Sequence, residues 1–273
     1  MSFKIGDVII DRLQFGYGAK SNGTPLYVLT QLSDASISIS AESQDITDKE
    51  GNLVYRKYTG KKGDVTATNA FMNLAVVEAL SATDAEIATK EHGIVMPMFK
   101  IVKSGETLDI TDYVDGSVVV NALSADGSMG KEYKLGSTAS ATEFSIASVD
   151  ADENAGTVAG AILTPPSDAD EVQYVVKFKK TVYSGTKITN SADNFPKSHE
   201  LFFKALAVDP CNKEVLKACI IEIPSFMPSP DMELNIAGGD SQTLNYTGAM
   251  MLDYCSVDKT LFNLYFIDED EEL

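Results

Sequence analysis

Apolar and polar residues alternate with a period of two through much of this chain. The pattern is clearest at Ser36–Ala41, where Ile37, Ile39 and Ala41 share one face and Ser36, Ser38 and Ser40 the other. A slip of one residue would expose every isoleucine, so this strand is expected to be firmly registered. The last quarter, His199–Ile267, reads as a succession of strands: Glu200–Val208, Leu216–Ile223, Met232–Ala237, Thr243–Leu252 and Leu261–Ile267. Asp209-Pro210, the stretch from Pro224 to Pro230 and Gly238-Gly239-Asp240 punctuate them as turns. Met232, Leu234 and Ile236 alternate with Glu233 and Asn235, as in a half-buried strand. Ala218–Ile223 and Leu261–Ile267 instead carry apolar groups on both faces. Each is expected to be covered twice, by a helix on one side and a neighbouring subunit on the other.

Upstream, Asp7–Ile10 is a short apolar run, and Gly16-Tyr17-Gly18 with Asn22-Gly23-Thr24-Pro25 marks a loop before a strand at Leu26–Leu32. From Glu42 to Lys62 the chain is dense in charge, acidic first (Glu42, Asp45, Asp48) and basic second (Arg56, Lys57, Lys61, Lys62). The two arms are therefore expected to pair as an extended hairpin with its tip at Asp48-Lys49-Glu50-Gly51-Asn52. An excursion of this length with strand-like flanks is read as an arm that bonds to a neighbouring subunit. Asn69 is placed as the N-cap of a helix Ala70–Leu80, whose Phe71, Met72, Leu74, Val76, Val77 and Leu80 leave little polar face and so predict burial. A second, weaker helix is predicted at Asp84–Glu91, from the capping-box spacing of Thr83 and Glu86 and a stop at Gly93.

Ile94–Val102 reads as a strand interrupted by Pro97, which points to an edge or a bulge. Lys103-Ser104-Gly105-Glu106 is a turn, followed by short strands at Leu108–Thr111 and Ser117–Asn121. Beyond Leu123 small and polar residues dominate as far as Asn194, with strands only at Phe144–Val149 and Val172–Val182. The reading is a mainly β chain. Residues 1–115 and 193–273 form a β-sandwich or barrel with one packed α-helix, and 116–192 an inserted small β domain for which an immunoglobulin-like form is open.

Charge and cysteine usage narrow the function. The 273 residues carry a formal net charge of −18 with a pI near 4.4, which disfavours binding to a nucleic-acid backbone. Three cysteines without a close C-x-x-C pair argue against a disulfide framework and a zinc site. Cys219 sits in an apolar strand as a small core residue, while Cys211 and Cys255 follow turns. Met1–Asp7 shows no basic region leading into an apolar core, so no secretory signal is expected, and no apolar run approaches the ~20 residues of a membrane helix. The tripeptides Asn22-Gly23-Thr24 and Asn245-Tyr246-Thr247 are accordingly read as chance matches to a glycosylation signal.

Candidate chemistry is sparse. His92 and His199 lie far apart and in no catalytic pattern, and His199 beside Glu200 is expected at the surface. No nucleophile-elbow, zinc-protease, phosphate-loop or dinucleotide motif occurs. Asp150-Ala151-Asp152-Glu153-Asn154-Ala155-Gly156 places oxygen ligands at alternate positions, but the sixth and twelfth positions of an EF-hand loop fall on Ala155 and Ala161. An acidic turn accounts for the run. No catalytic residue, metal ligand or cofactor is therefore assigned.

Several stretches resemble the tail tube (major tail) proteins of long-tailed bacteriophages and their relatives in contractile tailocins. They are Gly63-Asp64-Val65-Thr66-Ala67-Thr68-Asn69-Ala70-Phe71, Leu206-Ala207-Val208-Asp209-Pro210-Cys211, Ile220-Ile221-Glu222-Ile223-Pro224, Met232–Gly239, Tyr246-Thr247-Gly248-Ala249 and Lys259-Thr260-Leu261-Phe262. The resemblance covers about half the chain; the insertion departs from it. It implies a structural virion protein, made in the host cytoplasm, that assembles with itself as hexameric rings stacked into a tube. Genomic DNA would pass through the lumen without specific binding. A tape-measure protein, tail terminator and baseplate proteins, and a sheath protein are the partners it suggests, with no membrane. The charged arm would join rings and the insertion would project outwards. A head or decoration protein, or a β-sandwich adhesin or carbohydrate-binding module, is the alternative; the latter usually presents open aromatic faces, and this chain has no Trp.

Overall fold

The structure, a computed structural model, describes residues 7–149, 160–168, 173–210, 212–233, 243–252 and 258–270. It is mainly β, with one helix among those residues. The chain divides into two compact units, Met1–Asp84 with Ile188–Leu273, and Ala85–Lys187.

The first unit begins with β1 (Ile9–Ala19), β2 (Pro25–Leu29), β3 (Leu32–Thr47), β4 (Leu53–Asn69) and α1 (Leu74–Ser81). The second holds β5 (Glu86–Ile87), β6 (Ile94–Lys103), β7 (Leu108–Asp109), β8 (Val119–Leu123), β9 (Met129–Gly136), β10 (Glu143–Val149), β11 (Gly160–Thr164), β12 (Gln173–Val182) and β13 (Thr186–Lys187). The chain then returns to the first unit with β14 (His199–Asp209), β15 (Asn212–Pro228), β16 (Leu244–Met250) and β17 (Asn263–Asp270).

In the first unit one sheet runs in the order β2-β1-β14-β15-β16-β4-β3, with β17 added on β15. It curls so that β1 and β3, far apart in the hydrogen-bonded order, come into contact. Side chains from both ends of the order share one core: Leu29 of β2, Phe203 of β14, Phe226 of β15, Tyr246 of β16 and Val65 of β4. The expected sandwich or barrel with a packed helix is therefore what forms. Val76 and Leu80 of α1 close part of that core.

The helix starts four residues later than the sequence suggested. Asn69 is not the cap: it ends β4 buried, donating from Nδ2 to Phe71 O at 2.6 Å and accepting from Gln31 N at 3.2 Å. Asn73 is the cap, its Oδ1 accepting from Ala75 N and Val76 N while Nδ2 donates to Val28 O at 2.8 Å. Asn73→Ala should therefore lower stability by about 1 kcal/mol or somewhat more, since it removes the cap and a tie to β2. Thermal melting of the purified variant checks this, and an unchanged midpoint would refute the assignment.

Other local expectations fail for identifiable reasons. Residues 84–91 are not helical. Thr83 Oγ1 donates to Thr189 O instead of capping, and Glu86–Ile87 pairs with Thr186–Lys187, helped by Lys187 Nζ on Glu86 at 2.9 Å. Gly16-Tyr17-Gly18 lies inside β1, not in a loop. These glycines serve packing, because a Cβ on Gly18 would overlap the Tyr27 ring and one on Gly16 would press on Leu32 and Phe203. The expected turn from Pro224 is strand as well. β15 runs through it with a register shift between its Ile223 and Phe226 pairings to β14, so Pro224 sits where the ladder is already irregular. On its other edge β15 pairs with β17 at 217–222 and with β16 at 226–228.

The second unit has a seven-stranded sheet, β6-β12-β8-β9-β10-β11-β7, antiparallel except for β9 with β10. Tyr113 bridges Lys180 just past β7, bending that end of the sheet back towards β12. Ile110, Leu163, Tyr174 and Phe178 lie in its core. The sequence reading began the insertion at Gly116; this unit also takes in β6 and β7, because β6 pairs along its whole length with β12. β9 and β11 were not foreseen. Pro97 lies in β6 at the end of the sheet order, the edge its sequence predicted.

Candidate assembly surfaces

β3 and β4 form one long hairpin whose outer part leaves the core. Ser36, Ser38 and Ser40 face outward as expected, with Ser36 Oγ and Thr66 Oγ1 2.6 Å apart across the ladder. Ile37 and Val65 pair on the core face, and Ile39 with Gly63 is the last such pair. Between the pairs Ser40–Lys62 and Glu42–Thr59, β4 holds one extra residue, and Gly60 there has φ 63°. A left-handed residue at an inserted position is the place where glycine is needed. Every residue from 38 to 62 is exposed.

Complementary charge holds the arm together. Arg56 donates twice to Asp45, from Nε at 2.6 Å and Nη2 at 2.8 Å, and Lys62 Nζ lies 3.1 Å from Glu42. The Arg56 hydrogen bond holds the Asp45 carboxyl below its ordinary range. At the tip Asp48 Oδ1 accepts from Glu50 N and Asn52 N, both at 2.8 Å, and Asn52 Nδ2 donates to Oδ2 at 3.1 Å. These bonds depress the Asp48 pKa, that from Asn52 most. Gly51, with φ 90°, completes the turn by donating from N to Asp48 O at 3.1 Å. On one face Ile46 stands opposite Tyr55, with Lys57 next along β4; on the other lie Arg56 and Tyr58, while Leu53 and Val54 sit at the register shift before the tip. Tyr55 is 58% and Val54 67% exposed.

Where the curled sheet brings β1 and β3 together, a recess of about 620 Å³ remains, floored by Leu13, Leu32, Ile37, Phe203 and Ile221. Asp34 and the Asp11–Arg12 pair, 3.4 Å apart, stand on its walls. Among the described residues β3 pairs only with β4, and β1 before Gly16 only with β14, so both strands have an open edge here.

The two-sided coverage expected for β15 and β17 is met on one side. Cys219 of β15 packs with Ala205 and Ala207, and Phe266 of β17 closes on them; burial raises the Cys219 pKa. Leu264, Tyr265 and Ile267 remain exposed, and Tyr265 Oη donates to Glu222 at 2.7 Å. Leu261 joins the main core, and α1 packs on β2.

The expected surface position of His199 is overturned. Its side chain is at the centre of the first unit, 4% exposed. Nε2 lies 2.6 Å from Tyr27 Oη and 3.0 Å from Tyr246 Oη, the two hydroxyls bond each other, and Nδ1 is 3.1 Å from Lys197 O. The Phe226 ring meets the imidazole edge-on at 5.6 Å. Desolvation lowers the His199 pKa, and burial raises those of Tyr27 and Tyr246. The neighbouring Glu200 hid this; inward alternation with Leu201 and Phe203 was the available signal.

His92 is exposed, with Nε2 3.5 Å from Glu86. The acidic run 150–156, Cys211, Cys255 and most of the expected strand 232–237 lie outside the described residues; Met232 and Glu233, which are described, are not in a strand. No cluster of three or more metal-ligating side chains occurs among the described residues, and no helix among them is long and apolar enough to cross a membrane.

The family model described as the YomU/Tube protein family matches residues 7–262, nearly the whole chain and both units. No curated protein matches the sequence.

Proposed function

We propose, from the premise that this chain belongs to the YomU/Tube protein family, a phage tail tube family, that it forms hexameric rings which stack into the tail tube and conduct DNA. The family is one of structural tail components and not a known enzyme family. What carries the finer reading is the arm. A paired hairpin, exposed on both faces and bearing Ile46, Leu53, Val54, Tyr55 and Tyr58, presents apolar surface of the kind that marks an interaction site. In this reading the arm reaches the next ring, and exposed Leu264 and Tyr265 of β17 supply contacts between subunits.

The net charge of −18 supports a conduit that DNA does not adhere to, although the field fades over a Debye length of ~8 Å at physiological salt. A tape-measure protein in the lumen, terminator and baseplate proteins at the ends and a sheath outside are the partners this assembly would have. The insertion, proposed from the sequence as residues 116–192, would project outwards, and synthesis would take place in the host cytoplasm.

Negative-stain microscopy of the concentrated protein should show rings or tubes of uniform diameter. Monomers that persist at high concentration and bind a glycan array would replace the tube reading with an adhesin. Binding to capsids without tube formation would point to a head protein.

A further inference from the structure

Building on the proposed stacking arm, we infer that the arm's receptor is the recess between β1 and β3 of a second copy of this chain. The two surfaces are complementary. The recess has an apolar floor of Leu13, Leu32, Ile37, Phe203 and Ile221 with Asp34 on its wall. One face of the arm presents Ile46 and Tyr55, with the cation Lys57 next along the same face. Apolar groups enter the floor, and Lys57 meets Asp34. The opposite face is less suited, because Arg56 there is already neutralised by Asp45. Open backbone edges of β1 and β3 border the recess, so an extended segment can also bond to the main chain.

Position along the strand gives the second argument. The recess lies at the Leu32 end of β3 and the arm tip beyond its Thr47 end. The recess reaches along β3 as far as Ile37, and the remaining strand to Thr47 spans roughly 33 Å. Knob and socket are distinct patches at opposite ends of one hairpin, so they can be joined in the same sense from copy to copy. They make a head-to-tail contact, which propagates as an open stack.

The test uses the full chain and tube length measured by microscopy. Asp34→Lys and Lys57→Glu should each shorten tubes several-fold while rings form and melting is unchanged, since both side chains are exposed. The double variant should recover the parental length, and the single effects should weaken in high salt. As an independent readout, Ser33→Cys protein mixed with Tyr55→Cys protein should give disulfide-linked dimers on oxidation that neither gives alone. Normal tubes from Asp34→Lys, or a double variant no better than the singles, would overturn the receptor assignment. If replacing the arm tip still abolishes stacking in that case, the arm reading survives and only its socket is wrong. If arm replacement also leaves stacking intact, the arm reading itself falls.

Discussion

Replacing residues 46–55 with Asn-Gly is expected to give a protein that folds and melts like the parent but makes no tubes. Asp45 and Arg56 are direct cross-strand partners held by two hydrogen bonds, so the new ends already face each other. A two-residue Asn-Gly loop has the backbone twist that joins such a pair. Nothing removed contributes to the core, because every residue from 38 to 62 is exposed. The stability change should stay within about 0.5 kcal/mol. Assembly should instead stop at single rings, seen by microscopy and as a collapse of the sedimentation profile. Tubes of unchanged length would remove the arm from the assembly.

The largest stability effect is expected at His199. The tautomer that serves every neighbour carries its proton on Nδ1, donating to Lys197 O, while Nε2 accepts from one tyrosine hydroxyl and the other hydroxyl donates to the first. His199→Leu leaves one of these hydroxyls without an acceptor and should cost roughly 2–4 kcal/mol. Acid acts on the same triangle. Protonating Nε2 puts three donors among two acceptor oxygens and adds a charge at a site that is 4% exposed. The folded pKa is therefore depressed below the ordinary 6.5, and the unfolded chain takes up the proton first. Stability is full above about pH 6.5 and falls as the pH drops from there towards the folded value.

The melting temperature should thus decline between pH 7.5 and 5.5 in the parent but not in His199→Leu. Asp45, Asp48, Glu86, Asp109 and Asp126, all with depressed pKa values, lose their contribution only in more acid solution, as the pH falls below their ordinary values of 3.8 to 4.5. An equal decline in both proteins above pH 5.5 would exclude His199 as the cause.

What the sequence revealed depended on whether the deciding neighbour was near in the chain. The strand at 36–41 and the arm were legible because alternation and opposite charge repeat over many consecutive residues. Burial of Cys219 followed from its apolar strand. Gly16 and Gly18 misled because their reason is Tyr27 on the next strand and Phe203 almost two hundred residues away. Asn69 has the residue type of a helix cap, but the ladder between β4 and β16 extends as far as Asn69, and the helix starts only after Asn73. His199 needed Tyr27 and Tyr246, residues that only the folded sheet brings together. The recess between β1 and β3 exists because the sheet curls, and no local pattern encodes that.

Pro97 has a bearing on how the chain survives before it is assembled. β6 is an end strand of ten residues, with Phe99 77% exposed and Ile101 exposed beside it. Long open edges with bulky apolar side chains are templates on which other chains can zip into aggregates. A proline in the middle of that edge has no N–H to offer, so an incoming strand meets a gap in the row of donors. For a protein that must accumulate in many copies at one place, this blocks an irreversible route to precipitation and leaves copies in solution until the intended contact captures them.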